Sequence, residues 1–413
     1  VKIQRTIPPA AAPIDSNDLL HGLAGIILGQ KYHKRLEGEL KDYFGVKQIF
    51  LVSSGKAAFA LILSALQSLS PGKKQVLIPA YTCYSVPSAI VKAGLEVSLC
   101  DINDATLDFD YKLLEEAVNE NTLCVVPNHL FGIPSDVNRI KRICEGRGVY
   151  VVEDAAQAMG GKYKEKPLGT IGDVGFFSLG RGKNVTCGSG GIILTNSDTI
   201  AQEIEKTYIL LDKPQLRETL VEFLKVTALA IFIRPFLYWL PSGLPFLKLG
   251  ETLFYKDFPI KRLSGMKAGI LHKWRKQLEE SNDIRKKNAE YFRKLLCLNM
   301  HADLSIPFLR LPLIVDTREM RDNIYSLAQK KGMGISFMYP TSIDDIEEIH
   351  AFFAGKAFPC ACDIANRILT LPTHQLLSER DKKDISEFLR GFIPAMNCRG
   401  NRGNLSVCIQ SSN

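Results

Sequence analysis

Between Gln48 and Asn196 the sequence alternates. Short apolar runs (QIFLV, QVLIP, EVSLC, LCVV, VYVVED) are separated by stretches with helical spacing, such as DYKLLEEAVNE and DVNRIKRICEGRG. Runs this short and this continuously apolar suit strands buried on both faces. Helices between consecutive strands are what parallel pairing requires, because a parallel neighbour is reached only through a crossover. The pattern predicts a large α/β domain with a mostly parallel central sheet flanked by helices. Two further runs, VGFFS and GGIILTN, sit close together, as two neighbouring strands would. Ahead of this region come a proline-rich extended arm, a short helix, and a helix over YHKRLEGELKDYF stopped by Gly45. After residue 200 the texture changes to an apolar helical stretch, a long charged helix, and a mixture of strands and helices that predicts a smaller α+β domain. The expected division is 1–206 for arm and large domain, 207–255 for an apolar helical insert, 256–395 for the long helix and small C-terminal domain, and 396–413 for a disordered tail.

Composition narrows the function classes. With 413 residues, 46% hydrophobic and 23% charged, the chain has ample core for a folded protein. A net charge of +8 with dispersed lysines and arginines does not point to nucleic acid. The ten cysteines are mostly isolated in apolar stretches and read as reduced, buried thiols. Cys360 and Cys362 form a lone C-x-C without a second pair at zinc spacing, so no metal site is expected. The first twenty residues lack the apolar centre of a secretion signal, and a cytoplasmic protein is expected.

In an open parallel sheet, ligands bind at the carboxyl ends of the strands. VYVVED ends on two acids, Glu153 and Asp154. Ser178 and Lys183 follow DVGFF, and SSGKAA (53–58) follows IFLV and opens a helix. A helix N-terminus offers N–H groups to an anion, although small residues at such a turn also serve tight packing. Together these residues fit one cofactor, pyridoxal 5'-phosphate (PLP). Its phosphate needs N–H and hydroxyl donors, its pyridine nitrogen a carboxylate, and its aldehyde a lysine amine. On this reading Asp154 faces the ring nitrogen, and Glu153 points away as a solvated or structural acid.

Five stretches, SSGKAAFALIL, LIPAYTCYSVPSAIVKAGLEVSLCDI, PNHLFGIPSDV, VVEDAAQAMGGKYKEKPLGTIGDVGFFSLGRGKN and GSGGIILTN, resemble in order the sugar aminotransferases of the DegT/DnrJ/EryC1/StrS family. RLSGMKAGILHKWRKQLEESNDIRKKNAEYF resembles that family's interface helix, and ILTLPTHQLLSERD its C-terminal signature. The resemblance implies the fold type I aminotransferase architecture, a homodimer with sites at the interface, PLP, and transfer of an amine, usually from glutamate, to a keto sugar nucleotide. It implies Lys183 as the catalytic lysine that holds the cofactor covalently and carries a proton. Asp154 would pair with the ring nitrogen, and Gln157 would lie near the ring hydroxyl. Ser178 and the amides around Gly55, Lys56 and Ala57 would hold the phosphate. His129 is either a satisfied loop histidine or a substrate contact; Arg262 is a second candidate for the substrate. Retention of Lys183 speaks against the family's dehydratase branch. Two alternatives stay open: a lipid-linked or non-nucleotide keto acceptor, and a non-catalytic PLP-binding regulatory homologue.

The chain departs from the family pattern in places. Lys56 stands where threonine is common, and Cys83 where an aromatic often covers the ring, leaving Tyr84 or Tyr81 to do so. Ile260 replaces an asparagine that reaches a neighbour's phosphate. Residues 207–255 have no counterpart. Within them LKVTALAIFIRPFLYWLPSGLPFLKLG is apolar but broken by Pro235, Pro241 and Pro245, so a spanning helix is not expected. This insert either packs as a helical pair or docks residues 224–249 on a membrane surface, which would make the protein peripheral to it.

Overall fold

The computed structural model describes residues 5–244, 252–296, 299–300, 306–392 and 406–407. Two helices follow the arm. Ser16–Ile27 (α1) starts in a capping box between Asp15 and Asp18, and Gly29–Phe44 (α2) ends at Gly45, whose φ of 63° only glycine adopts readily. The central sheet is built from Gln48–Val52 (β1), Gln75–Pro79 (β2), Glu96–Cys100 (β3), Thr122–Val125 (β4), Tyr150–Asp154 (β5), Val174–Ser178 (β8) and Gly191–Thr195 (β9). A small hairpin, Lys162–Tyr163 (β6) with Lys166–Pro167 (β7), lies between β5 and β8. Gly55–Leu69 (α3), Ser85–Lys92 (α4), Tyr111–Ala117 (α5) and Val137–Cys144 (α6) form the crossovers, and Asp198–Tyr208 (α7) follows the last strand.

The sheet order is β1-β9-β8-β5-β4-β2-β3. All pairs from β8 to β3 are parallel, whereas β9 runs antiparallel to both β8 and β1. The expected parallel sheet thus has one reversed strand. Its cause is local: the link from Ser178 to Gly191 contains no helix to carry the chain back across the sheet. The reversal leaves Ser178 next to Gly191 and holds the link that carries Lys183 over the carboxyl ends of the other strands.

The second part of the chain opens with Leu216–Phe232 (α8) and the short Trp239–Ser242 (α9). Next come Gly265–Ile270 (α10) and the 22-residue Trp274–Leu295 (α11). The smaller C-terminal domain contains Arg310–Ile314 (β11) paired antiparallel with Ile368–Pro372 (β12), and helices Arg318–Lys331 (α12), Pro359–Arg367 (α13) and Glu379–Arg390 (α14). Before it, Asn299–Met300 (β10) pairs with Ser406–Val407 (β13); the rest of the tail 396–413 lies outside the described residues. A continuous apolar core joins α3 and the sheet to β11, β12, α12, α13 and α14.

The insert divides by face. Val226, Ala230 and Ile233 are buried, with Val226 against Gly188, while Leu216, Leu220, Leu224, Ile231, Phe236 and Leu240 are exposed. The helix stops at Phe232, ahead of Pro235. Among the described residues, no helix is long and apolar enough to cross a membrane.

Candidate active site

The acid pair that ends β5 separates by strand alternation. Glu153 is fully buried: Oε1 accepts from the Ile171 (2.5 Å) and Gly172 (2.6 Å) amides, and Oε2 from the Gly169 amide (2.9 Å) and His129 Nε2 (2.9 Å). It is therefore a structural acid, and the solvated alternative is excluded. His129 is equally enclosed. The Ser135 amide donates to its Nδ1 (3.1 Å), which fixes the tautomer with the proton on Nε2, pointing at Glu153. Both ring nitrogens are committed, so His129 is the satisfied loop histidine and not a substrate contact.

Asp154 points the other way and is 4% exposed. Its Oδ1 accepts from the Ala156 amide (3.0 Å) and its Oδ2 from Asn128 Nδ2 (3.2 Å). Asn128 also donates to Thr82 Oγ1, so a buried amide holds the carboxylate in place. Burial pushes the Asp154 carboxyl above its usual range, against the opposing pull of the Ala156 amide, Lys183 and His129. Lys183 is partly buried. Burial lowers its amine below the usual lysine value, Arg310 adds to that, and Cys83 and Asp154 oppose it. The acid and the amine feel each other's charge without forming an ion pair.

The start of α3 lies close by. A Cβ on Gly55 would come within 3.0 Å of Ser178 Cβ, so glycine is what lets the Ser178 hydroxyl approach the first turn of α3. Ser54 caps that helix by accepting from the Ala57 amide (3.1 Å), which takes Ala57 out of the expected phosphate donors. The amides of Gly55 and Lys56 and the hydroxyl of Ser178 remain for an anion. The Lys56 ammonium lies over the rings of Tyr255 (4.6 Å) and Phe258 (4.7 Å), a cation–π cage that no acid among the described residues completes.

An aromatic that sequence reading missed lies beside Tyr81 and Tyr84. Tyr339 is 2% exposed, and its hydroxyl accepts from Gln157 Nε2 (2.8 Å). Its ring lies 5.6 Å from that of Tyr81 and 6.4 Å from that of Tyr84, beside Cys83. Tyr84 reaches the small domain through Thr341 Oγ1 (2.5 Å). The Tyr81 hydroxyl is buried without a hydrogen-bond partner. Gln157 Oε1 accepts from the Phe131 amide (3.2 Å), so its side chain bridges the large domain to Tyr339.

Arg262 is placed apart from this group. Its Nε and Nη2 donate to Tyr208 O (3.2 Å) and Ile209 O (2.8 Å), at the end of α7, and its guanidinium lies 4.9 Å from the Tyr208 ring centre. It lines a cleft of about 570 Å³ with His33, Lys34 and Lys213, and that cleft does not contain Lys183. Ile260 sits partly buried near the main core.

The donor set fits PLP. It offers an anion cradle at a helix N-terminus, a buried acid without a cation of its own, and a lysine amine shifted toward neutrality. The sequence matches the DegT/DnrJ/EryC1/StrS aminotransferase family over residues 20–217 and 260–390. The chain belongs to this family. Residues 218–259, the insert in essence, fall outside the match. A pleiotropic regulatory protein of Geobacillus stearothermophilus is 27% identical over 384 residues, 89% of this chain and 91% of that one. GDP-perosamine synthase of Vibrio cholerae is 32% identical over 170 residues, 41% of this chain and 46% of its own length. Among solved structures, Helicobacter pylori PseC, an aminotransferase involved in the biosynthesis of pseudoaminic acid, has a TM-score of 0.76 at 15% identity. It covers 94% of this chain and 99% of its own. At that identity the likeness is one of fold, the fold type I aminotransferase architecture in which a large α/β domain is joined to a smaller C-terminal one.

Proposed function

We propose that this protein is a PLP-dependent aminotransferase that moves an amino group from an amino acid, with glutamate as the expected donor, to a keto sugar carried on a nucleotide. Such a reaction belongs to polysaccharide or glycoconjugate biosynthesis. The observation that carries the reading is the buried Asp154 and the Lys183 amine close enough to feel each other's charge, together with the Ser178 hydroxyl against the first turn of α3. Bound there, PLP supplies an aldehyde that takes up amines and a ring that accepts electrons. The chain's own residues do the rest. Lys183, its amine lowered by burial, would hold the cofactor and would serve as the base that moves a proton at the substrate carbon. Asp154, steadied by Asn128 and the Ala156 amide, would face the ring nitrogen and favour its protonated form. The first-turn amides of Gly55 and Lys56 and the Ser178 hydroxyl hold phosphate. Tyr339 and Tyr81 keep water from the site.

The homodimer implied by family membership is part of this proposal. The exposed apolar residues of α1, Leu20, Leu23 and Ile27, are surface that a second subunit would cover. The name of the Geobacillus relative favours a second reading, a regulatory protein that binds PLP without turnover. One experiment separates the two. The purified protein is loaded with PLP and its visible absorbance is followed as glutamate is added. Bleaching, reversed by a keto sugar nucleotide and absent in Lys183→Ala with its fold intact by circular dichroism, supports the enzyme. Bound cofactor indifferent to every amino donor supports the regulator.

A further inference from the structure

Residues 252–259 lie outside the stretches that match the family, yet hydrogen bonds strap them to the surroundings of the site. Thr252 Oγ1 donates to Met338 O (3.4 Å), the neighbour of Tyr339. The Tyr255 amide donates to Ser88 Oγ (3.1 Å), and Ser88 is buried on α4, one turn after Tyr84. Asp257 pairs with Lys92 at the end of the same helix. Further on, Ser53 Oγ donates to Pro259 O (3.4 Å), the Lys261 amide to Ser53 Oγ (3.2 Å), and the Ser53 amide to Lys261 O (2.9 Å). The strap therefore runs from the small domain, along α4, to the loop between β1 and α3 that leads into the phosphate cradle.

It delivers two rings to one cation. The Lys56 ammonium is 4.6 Å from the Tyr255 ring centre and 4.7 Å from that of Phe258. Among the described residues no ion pair involves Lys56, and the acid nearest to these rings in sequence, Asp257, is spent on Lys92. Ring faces replace only part of the hydration that a half-buried ammonium gives up, so the charge is left for a ligand. The cradle itself is main chain and hydroxyl: the first-turn amides of α3 and Ser178 against Gly55. The ammonium stands a four-carbon stem away from it. Tyr255 is 48% exposed, which places the cage at the rim and leaves part of that ring open. Lys56 also feels the charge of Cys83, which lies beside Tyr339, so the same cation borders the interior of the site.

We propose that Lys56, Tyr255 and Phe258 form a binding site for the nucleoside diphosphate of the acceptor, with the ammonium on the diphosphate and the open part of the Tyr255 ring against the base. The inference rests on the aminotransferase reading above. A keto sugar nucleotide that places its keto carbon at Lys183 has its diphosphate and base trailing toward the rim. An ammonium is a point charge that meets phosphate oxygens from many directions, and an aromatic face accepts any base by stacking. Lys256, exposed and next to Tyr255 in the chain, adds a second cation to the strap. Glutamate carries neither a diphosphate nor a base, so these contacts act on the acceptor alone.

The test uses protein saturated with PLP, so that the cradle is filled, and measures the binding of UDP, GDP and dTDP by calorimetry. Wild type should bind at least one of them. Lys56→Met keeps the main-chain amide and loses the ammonium, and its Kd for that diphosphate should rise about fivefold or more. Its KM for the keto sugar nucleotide should rise by a similar factor while KM for glutamate stays within about threefold. Tyr255→Ala, which removes a half-exposed ring, should also weaken the diphosphate about fivefold or more. A wild type that binds none of the three overturns the proposal, as does a smaller rise in Kd for Lys56→Met or a KM rise confined to glutamate. A Lys56→Met protein that loses affinity for PLP in a fluorescence titration, but once saturated binds the diphosphate like wild type, assigns the ammonium to the cofactor phosphate and overturns it too. If Lys56→Met does not fold or load, Tyr255→Ala decides, and unchanged diphosphate binding by it overturns the proposal. If glutamate leaves the wild-type absorbance untouched, the aminotransferase reading fails. Diphosphate binding needs no turnover and still decides the site: bound by wild type and weakened in the variants it supports the assignment, and absent from wild type it refutes it.

Discussion

Two carboxylates adjacent in sequence have opposite fates because strand alternation points one at the site and the other into the fold. Among the described residues Asp154 forms no ion pair, which leaves it to serve a ligand. Asp154→Asn keeps a hydrogen-bond partner but cannot hold a ring nitrogen protonated. We expect turnover to fall by several orders of magnitude while cofactor affinity falls less, since charge stabilisation is commonly the largest catalytic contribution. Steady-state kinetics with cofactor titration checks this, and a loss under about tenfold, roughly 1.4 kcal/mol, would remove Asp154 from that role. Glu153 is surrounded by four N–H groups and has no solvent. Glu153→Gln forces an NH₂ against two of those donors, and we expect a loss of about 2–3 kcal/mol in the denaturation of the cofactor-free protein. A change under about 0.5 kcal/mol would mean that the pocket rearranges around the amide.

The insert is the element that gives this chain its own character. One face of α8 is core, with Val226 and Ala230 in the cluster that includes α10 and α11. Its other face, with Leu224 67% exposed and continued by Phe236 at 76%, is too apolar to be ordinary surface. We propose that this face rests on a membrane surface, with Lys225 beside it. Apolar area covered by lipid gains about 25 cal/mol per Å², so a few such side chains suffice for reversible binding. Wild type should co-sediment with anionic vesicles. Leu224→Asp with Phe236→Asp should stay in the supernatant at an unchanged melting temperature, because both side chains already face solvent. A wild type that does not sediment assigns the face to a protein contact. The same insert also meets the active-site region: Tyr238 lies by Arg310, Thr252 Oγ1 donates to Met338 O (3.4 Å), and Tyr255 and Phe258 hold Lys56.

At the scale of the whole molecule, the N-terminal arm ties the two domains together. The Thr6 amide donates to Pro235 O (2.8 Å) in the insert, and the Ile7 amide to Gly332 O (2.8 Å) in the small domain. His374 Nε2 donates to Pro8 O (2.8 Å); burial holds this ring neutral, with its pKa lowered to about 3. Arg5 grips Asp381 with both Nε (2.8 Å) and Nη2 (2.6 Å). Burial alone would raise the Asp381 carboxyl. The Arg5 bond and the Ser378 amide and hydroxyl outweigh it and hold the group below 3.8. An acid depressed on folding contributes stability that is present above its unfolded value and lost as pH falls through its folded one. Thermal melts should therefore show Arg5→Ala less stable than wild type at pH 6 by about 1 kcal/mol, the modest value of a half-exposed pair. The gap should shrink as pH falls below 3.8. A gap that does not change with acid would assign the arm's hold to its backbone bonds alone.

What the sequence by itself determined is local or periodic. Buried parallel strands need continuous apolar runs, so the strands, their crossovers and the residues at their carboxyl ends, Asp154, Ser178 and Lys183, were legible from spacing. The stop at Gly45 and the broken insert were legible because glycine and proline act within a few residues. The reversal of β9 was not, since the same apolar run serves either direction. Nor were the fates of Glu153, His129 and Ala57, which depend on whether an adjoining loop or cap claims them before a ligand can. Tyr339 and Arg310 carried no local signal at all. They reach the site from the small domain, more than 120 residues after Lys183, and only packing of that domain against the sheet brings them to it. Arg262 shows the converse: a residue marked by its motif that the fold of the single chain turns toward the end of α7. Local pattern sets what each segment forms, but which side chains share a space is decided by burial between segments, and that is a property of the tertiary structure alone.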